Sequence, residues 1–580
     1  MLVKTYCAAV NGLEVTTVMI EVSLSQGVMY HLTGLGDEAV RESRDRIAAA
    51  LQYNGFKFPV ADITVNMAPA DLRKEGSSFD LPLAIGILAA NSNIIADHLG
   101  EYMIVGELGL DGRLQPVKGA LPIAIRARAE HFKGLIVPKQ NVREAAVVNK
   151  LEVYGMETIL DVIMFLNDQK AFEPTVVDTR KEFYEQQSRF EQDFADVRGQ
   201  ENVKRALEVA AAGGHNLIMV GPPGSGKSMM AKRLPSVLPP LTLAESLETT
   251  QIHSIAGKLG RDVSLISQRP FRAPHHTISE VALVGGGSNP QPGEISLAHN
   301  GVLFCDELPE FNKHTLEVLR QPLEDRQINI SRAKYNINFP CSFMFVASMN
   351  PCPCGYYGDP THHCVCTPGQ IQRYMNKISG PLLDRIDIQC EITPVPFKDI
   401  SKASPGEPSA NIRERVIAAR AIQTERYRDY KDIHCNAQMS ERMIHEFAEP
   451  DDAGIDLLRT AMERLSLSHP QGGPYHRRPC SLTFRTARTS GRSHQLPQSR
   501  PGRLGRTGIV GKKLGVHFAV CPFYRNFAPY NKNRTKRKIW KRNSSAPPSR
   551  RHFPTPTVAY TSDTWPACMC LPTSTCATCG

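Results

Sequence analysis

The fold of this chain can be inferred from eight consecutive residues, Gly221-Pro222-Pro223-Gly224-Ser225-Gly226-Lys227-Ser228. The apolar run Leu217-Ile218-Met219-Val220 precedes it, and residues that favour a helix follow it. A glycine-rich turn between a strand and a helix directs backbone N–H groups at a polyphosphate, while the lysine reaches the β- and γ-phosphates and the next serine reaches Mg²⁺. The alternative is an ordinary glycine-rich turn. We therefore predict an α/β core that binds ATP and Mg²⁺ through these eight residues.

A second segment supplies the acids that ATP hydrolysis needs. The apolar run Gly301-Val302-Leu303-Phe304-Cys305 ends in Asp306 and Glu307. An acid at the end of such a strand can hold Mg²⁺, and a neighbouring carboxylate can polarise the attacking water. We assign the metal role to Asp306 and the catalytic role to Glu307. The alternative is an edge strand followed by a solvated acidic turn.

A third apolar run leads to a polar amide. Residues 343–348 read as a strand that continues through Met349 to Asn350. An amide at this position can hold the lytic water or sense the γ-phosphate. We therefore predict Asn350 as a third catalytic group beside the two acids.

Five long motifs connect the chain to a known family. They are Phe271-Arg272-Ala273-Pro274-His275-His276-Thr277, Pro292-Gly293-Glu294-Ile295-Ser296-Leu297-Ala298-His299, Asp306-Glu307-Leu308-Pro309-Glu310-Phe311, Asn350-Pro351-Cys352-Pro353-Cys354-Gly355 and Gly380-Pro381-Leu382-Leu383-Asp384-Arg385-Ile386-Asp387. With them the chain resembles the magnesium-chelatase-like AAA+ ATPases of the YifB/ComM family. The resemblance covers roughly residues 1–468.

The resemblance implies a mechanism and a partner. It implies a ring, a homo-hexamer, in which Arg385 reaches into a neighbouring subunit's site as an arginine finger; the alternative is an arginine paired with Asp384 and Asp387 at a helix start. It also implies branched or single-stranded DNA as the substrate of a helicase or branch-migration translocase in recombination or natural transformation. The alternatives are a chelatase-type subunit that remodels a protein partner, and an ATP-dependent protease.

The amino-terminal residues 1–170 resemble the α+β proteolytic domain of Lon proteases. Their pattern predicts strands at 15–23 and 62–67, helices at 38–53 and 81–90, and a hairpin around 110–113. Lon enzymes use a Ser–Lys dyad in which the lysine activates the serine. Ser78 aligns with that serine, but Leu121 falls on the lysine position, with Lys118 nearby. We therefore expect a scaffold rather than a protease.

Four cysteines lie in one short segment. Cys352, Cys354, Cys364 and Cys366 can together satisfy tetrahedral Zn²⁺, and His362 or His363 could substitute for one of them. Such a site would be structural, since four protein ligands leave no open position. The alternative is a set of reduced thiols that stabilise the loop by packing.

Domain boundaries follow from these motifs and from the charge distribution. We predict a linker at 171–192, an AAA+ αβα core at 193–395 and a partial helical lid at 396–468. Residues 469–580 contain 20 Lys and Arg and one acid, Asp563, so the rest of the chain is net acidic although the whole carries +10. The same tail holds both tryptophans and 6 of the 15 cysteines, with no sustained apolar period.

This tail composition favours out-of-frame translation from near Ser468, which would leave a disordered segment. The alternative is a natural basic module that binds nucleic acid. In the family the lid continues with helices that carry a second arginine at the γ-phosphate. We therefore expect the activity of this chain to suffer from an incomplete lid.

Two insertions interrupt the predicted core. Residues 271–299 exceed what a minimal core needs, and their Gly285-Gly286-Gly287 run predicts a mobile loop. Residues 327–334 alternate like a hairpin, along which Arg326, Arg332 and Lys334 could follow a phosphate backbone. The alternative for this hairpin is a solvated charged surface.

No targeting signal marks the start of the chain. The longest apolar run, 81–90, is too short to cross a bilayer, and the cysteines of the body do not form a disulfide framework. We therefore expect a cytoplasmic protein without a membrane partner.

Overall fold

A computed structural model describes residues 2–447 apart from 96, 261–262, 288–289, 333–334, 360–361, 395–405 and 431–432, and beyond them Asp452, Asp456 and Leu482–Phe484. The chain divides into two units, 1–527 and 528–580, and every described residue belongs to the first.

The described part of the chain contains both strands and helices. The strands are β1 (Leu2–Asn11), β2 (Glu14–Ser25), β3 (Tyr30–Thr33), β4 (Asp62–Ala68), β5 (Tyr102–Ile104), β6 (Glu107–Leu108), β7 (Leu114–Gln115), β8 (Gly134–Pro138), β9 (Glu152–Met156), β10 (Leu217–Val220), β11 (Phe271–Arg272), β12 (Gly285–Gly286), β13 (Gln291–Pro292), β14 (Val302–Cys305), β15 (Gln327–Arg332), β16 (Tyr335–Pro340), β17 (Met344–Met349), β18 (Ile388–Glu391) and β19 (Leu482–Phe484). The helices are α1 (Glu38–Tyr53), α2 (Asp80–Ala90), α3 (Ala120–Ala129), α4 (Val142–Ala145), α5 (Ile159–Leu166), α6 (Thr179–Gln186), α7 (Glu201–Gly213), α8 (Lys227–Arg233), α9 (Leu243–Ile255), α10 (Glu280–Val284), α11 (Glu294–Leu297), α12 (Lys313–Val318), α13 (Arg320–Asp325), α14 (Pro368–Met375), α15 (Gly380–Leu383), α16 (Ser409–Arg426) and α17 (Glu441–Phe447).

The amino-terminal domain is a mixed seven-stranded sheet in the order β3-β4-β2-β1-β5-β8-β9. Helix α2 is buried along its whole length because its sequence, from Leu81 onward, is almost entirely apolar. It lies close to β1 and β2: a Cβ added at Gly86 would be 2.8 Å from Val22 Cγ2. The strands, helices and hairpin predicted here are confirmed, with boundaries that differ by at most two residues.

The second domain is built on a parallel sheet in the order β11-β14-β17-β10-β18-β19. Its strands β10, β14 and β17 are short apolar runs covered on both faces, as expected for parallel strands. Strand β10 lies between β17 and β18, so the carboxyl ends of β14, β17 and β10 are neighbours. Ligands of parallel α/β sheets bind at such carboxyl ends.

The insertions differ in part from expectation. Gly285 and Gly286 pair with Pro292 and Gln291 as β12 and β13, so the glycine run contributes one strand of a short two-stranded ribbon. Residues 288–289, between the two strands, lie outside the described residues. The second insertion is a hairpin, β15–β16, which extends to Pro340. The side chains of Arg332 and Lys334 lie outside the described residues.

Contacts between the two domains in the described part of the chain include the following two. The turn between β1 and β2 contacts β16: a Cβ added at Gly12 would be 2.3 Å from Ile337 Cγ2. Helix α9 contacts the amino-terminal domain, where Ser254 Oγ donates to the buried carboxylate of Glu144. Leu121 N–H donates to the same carboxylate at 3.0 Å.

The predicted lid and tail are only partly described. Helices α16 and α17 lie within the predicted lid, whereas most of 448–468 and of 469–580 lies outside the described residues. Strand β19 is the exception: it pairs in parallel with β18, from Ile388↔Leu482 to Cys390↔Phe484. These three residues belong to a sheet, so the expectation of a disordered tail from residue 469 onward is too broad there.

Among the described residues, no helix combines the length and apolar character that a membrane crossing requires.

Candidate nucleotide-binding site

The phosphate loop connects β10 to α8 as the sequence predicts. Gly224 and Gly226 have φ values of +75° and +88°, which a residue with a Cβ adopts only at a cost. Ser225 Oγ donates to the Pro222 carbonyl at 2.8 Å, closing the turn. A Cβ added at Gly221 would be 2.5 Å from the Ile392 carbonyl, so the start of the loop lies against the chain that follows β18.

Lys227 is the buried cation of this loop. Its Nζ donates to the carbonyls of Gly221 at 2.7 Å and Pro222 at 2.9 Å, and to Asn350 Oδ1 at 3.2 Å. Burial lowers the pKa of the ammonium group, while the charges of Asp306 and Glu307 oppose that change. Phosphate oxygens would be stronger acceptors than these neutral partners, because hydrogen bonds between charged groups are stronger.

Asp306 joins the loop to the neighbouring strands. It follows β14, and its Oδ2 accepts from Ser228 Oγ at 2.6 Å. Its Oδ1 accepts from Ser348 Oγ and, at 3.0 Å, from the Glu307 N–H. A serine hydroxyl beside a fixed carboxylate is an oxygen donor set that suits Mg²⁺.

Ser348 was missed in the sequence, although a signal for it exists. Alternate residues of a strand lie on one face, and Ser348 is two residues before Asn350 at the end of β17. Ser348 fixes the carboxylate of Asp306, and Asn350 contacts Lys227. The end of β17 thus orients both Asp306, the predicted Mg²⁺ ligand, and Lys227, the predicted phosphate ligand.

Glu307 is more exposed than Asp306 and lies beside a histidine. Its backbone has φ +51°, in the left-handed region, and its side chain is 56% exposed. Glu307 Oε2 is 3.9 Å from His276 Nδ1, and the ring of His275 lies 4.1 Å from that of His276. The histidine motif that carried the family resemblance therefore lies next to the predicted catalytic carboxylate.

Arg385 lies beyond α15 and contacts its own chain. Its guanidinium forms an ion pair with Glu324 and donates to the Pro381 carbonyl at 2.5 Å. The neighbouring Asp387 accepts from Asn216 N–H at 3.1 Å. Its carboxylate therefore connects the residues that precede β18 and β10. The ion pair with Glu324 was missed, since nothing in the sequence connects the two segments.

The four cysteines converge. The Sγ atoms of Cys352, Cys354, Cys364 and Cys366 all lie within 4.8 Å of one another, a set that could hold a metal ion. His362 instead stacks on Tyr356, with ring centroids 4.8 Å apart. Within the described part of the chain, the ligand cluster contains the four thiols and neither predicted histidine.

The aligned protease positions are also defined. Ser78 is the middle residue of a short 3-10 helix, Ser77–Phe79, and its carbonyl accepts from Gly106 N–H at 3.0 Å. Leu121 is fully buried in α3. Lys118 lies toward the second domain, since a Cβ added at Gly257 would be 3.1 Å from Lys118 Cε.

The fold and the site define a P-loop protein of the AAA+ type: a parallel sheet whose strand ends bring a phosphate-loop lysine and serine, an acid pair and an amide together. Three family models match the chain, "Subunit ChlI of Mg-chelatase" at residues 20–141, "Magnesium chelatase, subunit ChlI" at 193–400 and "Magnesium chelatase, subunit ChlI C-terminal" at 406–489.

Individual relatives agree with the models. The chain is 44% identical over 465 residues to the "Competence protein ComM" of Haemophilus influenzae, covering 80% of this chain and 90% of that protein. It is 42% identical over 465 residues to the "Uncharacterized protein YifB" of Escherichia coli, covering 79% and 88%. The chain belongs to the magnesium-chelatase-like YifB/ComM family.

A third relative matches a smaller part of the chain. "Lon protease 2" of Bacillus subtilis is 30% identical over 157 residues, which cover 25% of this chain and 27% of that protein. The Lon-like resemblance is therefore supported for part of the chain.

The carboxyl-terminal family model ends at 489, beyond the frame change predicted near Ser468.

Proposed function

We propose that the chain is an ATP-hydrolysing ring motor that acts on DNA. One observation carries the ATPase part. Lys227 bonds Asn350 at 3.2 Å and Ser228 bonds Asp306 at 2.6 Å, at the ends of three adjacent parallel strands. This is the set of groups that phosphoryl transfer from ATP needs in one place.

Each residue of the set has a separate task. Lys227 would exchange the carbonyls of Gly221 and Pro222 for phosphate oxygens, and Ser228 with Asp306 would hold Mg²⁺. Mg²⁺ supplies neutralisation of the charge that develops on the phosphates. Glu307 accepts a proton from the attacking water, and Asn350 orients that water or the γ-phosphate.

The ring assembly is part of the proposal. Arg385 acts as a finger in the site of a neighbouring subunit, and its ion pair with Glu324 holds the guanidinium ready for that contact. A finger from a neighbour makes turnover depend on assembly, as expected for a homo-hexamer.

We place this motor in the cytoplasm, because the nine cysteines of its described part are all free of disulfides.

DNA is proposed as the substrate from the family resemblance and from the β15–β16 hairpin. One face of the hairpin is buried through Ile328, Ile330, Ile337 and Phe339. The opposite face carries exposed amides, with Asn329 opposite Asn338 in the register. Amide side chains donate to phosphate and sugar oxygens without reading sequence, which suits a translocating contact. Competence, the process in the name of the Haemophilus relative, is a setting for such activity.

The thiol cluster is proposed to hold Zn²⁺. Four thiolates suit this ion in a closed, structural site.

The deciding experiment measures ATP hydrolysis with no DNA and with single-stranded, duplex and forked DNA. We expect forked or single-stranded DNA to raise turnover in the wild type. The double variant Asn329→Ala/Asn338→Ala should keep its basal turnover and lose the stimulation, and Glu307→Gln should hydrolyse ATP far more slowly than the wild type in every condition. No stimulation by any DNA would contradict the DNA proposal and leave the ATPase proposal standing.

A chelatase-type subunit that remodels a protein partner is the second candidate. The matching family models, which are all described as magnesium chelatase subunits, favour it. In the same assay this candidate expects stimulation by a protein partner and none by DNA.

A further inference from the structure

The cysteine cluster has the dimensions of a tetrahedral metal site. The Sγ atoms of Cys352 and Cys354 are 3.3 Å apart, those of Cys352 and Cys364 are 3.7 Å apart, and those of Cys354 and Cys364 are 3.6 Å apart. Zinc–sulfur bonds of about 2.3 Å in a tetrahedron place sulfurs about 3.8 Å from one another. These three thiols are therefore close to the required spacing, and the Cys366 Sγ lies within 4.8 Å of each of them.

The backbone around the cluster also suits thiolate ligands. The Tyr357 N–H donates to Cys352 Sγ at 3.3 Å. Bonds of this kind stabilise negative sulfur and orient it toward a metal. Gly355 and Gly358 have φ values of +87° and +81°, which let the segment turn back so that the two cysteine pairs meet.

The same loop touches the nucleotide site twice. Cys352 follows two residues after Asn350, whose Oδ1 contacts Lys227 Nζ. At the next turn, a Cβ added at Gly355 would lie 2.7 Å from Pro223 Cδ and 3.9 Å from Asn350 Cγ. The metal loop is thus packed against both the phosphate loop and the residue that follows β17.

We propose that Zn²⁺ bound by the four thiols fixes this packing, so that metal occupancy sets the affinity of the phosphate loop for nucleotide. The inference rests on the proposed ATPase site and on the proposed Zn²⁺ site, and adds a coupling between them. Without the metal, the loop loses its cross-link, and Asn350 and Pro223 lose the surface that holds them. Coupled sites commonly change each other's affinity by roughly 5- to 150-fold.

The test uses the full chain and measures zinc content and binding of fluorescent ADP in separate assays. Protein as purified, protein stripped by a chelator that is then removed, and protein reloaded with Zn²⁺ are compared in the same Mg²⁺ buffer. We expect one zinc per chain, a loss of ADP affinity of roughly fivefold or more on stripping, and recovery on reloading. Stripped Cys7→Ala, which lacks a buried thiol of the amino-terminal domain, should behave like stripped wild type.

A glycine pair separates coupling from simple unfolding. Gly355→Ala places a methyl group against Pro223, whereas Gly358→Ala has a similar positive φ and no atom within 4 Å of the added Cβ. Both variants carry the same kind of backbone strain. We expect both to keep zinc, and Gly355→Ala alone to bind ADP more weakly.

The outcomes distinguish the three proposals. A chain that binds no zinc overturns the metal site and this inference together. Zinc binding with equal ADP affinity in the loaded and stripped proteins, or equal affinity in the two glycine variants, overturns the coupling and leaves both sites. No ADP binding by any form overturns the ATPase proposal.

Discussion

Lys227 shows how a single residue can exchange one set of hydrogen-bond acceptors for another. Its ammonium group is held by two carbonyls and one amide oxygen, and burial lowers its pKa. These neutral acceptors stabilise the cation less than phosphates would, because charge-assisted hydrogen bonds are about twice as strong. We therefore expect the Lys227 ammonium group to exchange these acceptors for phosphate oxygens when a nucleotide binds.

The roles of Lys227 and Glu307 can be separated by substitution. Lys227→Ala removes two or more charge-assisted bonds to phosphate, so we expect nucleotide affinity to fall by roughly 100-fold. Glu307→Gln should bind ATP normally and lose turnover by about 10²- to 10⁴-fold, because only the proton acceptor is missing. Calorimetric titration and phosphate release measure the two quantities. Lost binding in both variants would contradict this division.

Arg385 is tested through a matched partner. Arg385→Ala should lower turnover by roughly 10³-fold or more without weakening ATP binding, as for a transition-state finger. Glu324→Gln removes the ion-pair partner and keeps the guanidinium, so most turnover should remain. If the ion pair is purely structural, the two variants will instead lose stability and turnover alike.

The trans geometry of Arg385 requires mixed rings. Subunits with Arg385→Ala retain an intact phosphate loop, and subunits with Lys227→Ala retain an intact arginine. Mixing the two kinds of subunit should restore some turnover at interfaces where an intact phosphate loop faces an intact Arg385. No rescue in mixed assemblies of verified composition would assign Arg385 to its own subunit.

At the scale of elements, the β1–β2 turn supports the hairpin β15–β16. Gly12 has φ +61°, and an added Cβ would be 2.3 Å from Ile337 Cγ2. Gly12→Ala should therefore cost about 1–3 kcal/mol from overpacking, in addition to backbone strain. Gly55→Ala is the control, because Gly55 also has a positive φ but open space around it.

Thermal unfolding of both variants measures that difference. The double variant Gly12→Ala/Ile337→Leu should recover part of the loss, because leucine is not branched at Cβ and so lacks the Cγ2 methyl group of the crowded contact. Equal melting temperatures for Gly12→Ala and Gly55→Ala would show that the turn does not press on the hairpin.

The junction between α4 and α9 predicts a pH dependence. Burial raises the pKa of Glu144, although Ser254, Leu121 and Asn141 donate to its carboxylate. The folded protein then binds this proton more tightly than the unfolded chain, so stability falls as pH rises from about 4.5 through the raised pKa. Glu144→Gln carries no such proton and should show a smaller fall. Melting curves of the wild type and of Glu144→Gln across this pH range measure the difference. The same pH dependence of stability in both proteins would contradict the prediction.

The core elements were readable from the sequence because local chemistry specifies them. A phosphate loop needs its glycines, and strand ends before Asp306 and Asn350 follow from apolar runs. Contacts between distant segments were not readable. Arg385 with Glu324 and Gly12 with Ile337 depend on tertiary packing, to which no local pattern corresponds. Ser348 lies between these cases, since strand alternation places it on the face of Asn350.

At the scale of the whole molecule, the basic tail can be tested by truncation at two points. Ending the chain after 489 keeps β19 and the full family match, and should leave the fold and ATP binding unchanged. It should also remove DNA affinity that falls steeply with salt, because most of the 20 tail cations lie beyond that point. Ending it after 468 removes β19 and should lower the melting temperature. Steeply salt-dependent DNA affinity that survives the first truncation would contradict this prediction.

The order of the parallel sheet has a consequence for synthesis on the ribosome. Strand β10, which leads into the phosphate loop, pairs with β17 and β18, and its second neighbour is made roughly 170 residues later. At about 5–20 residues per second, that delay is on the order of ten to thirty seconds. During this time the nascent chain exposes an apolar strand with unpaired edges, so its yield in cells should depend on the chaperones that meet emerging polypeptides.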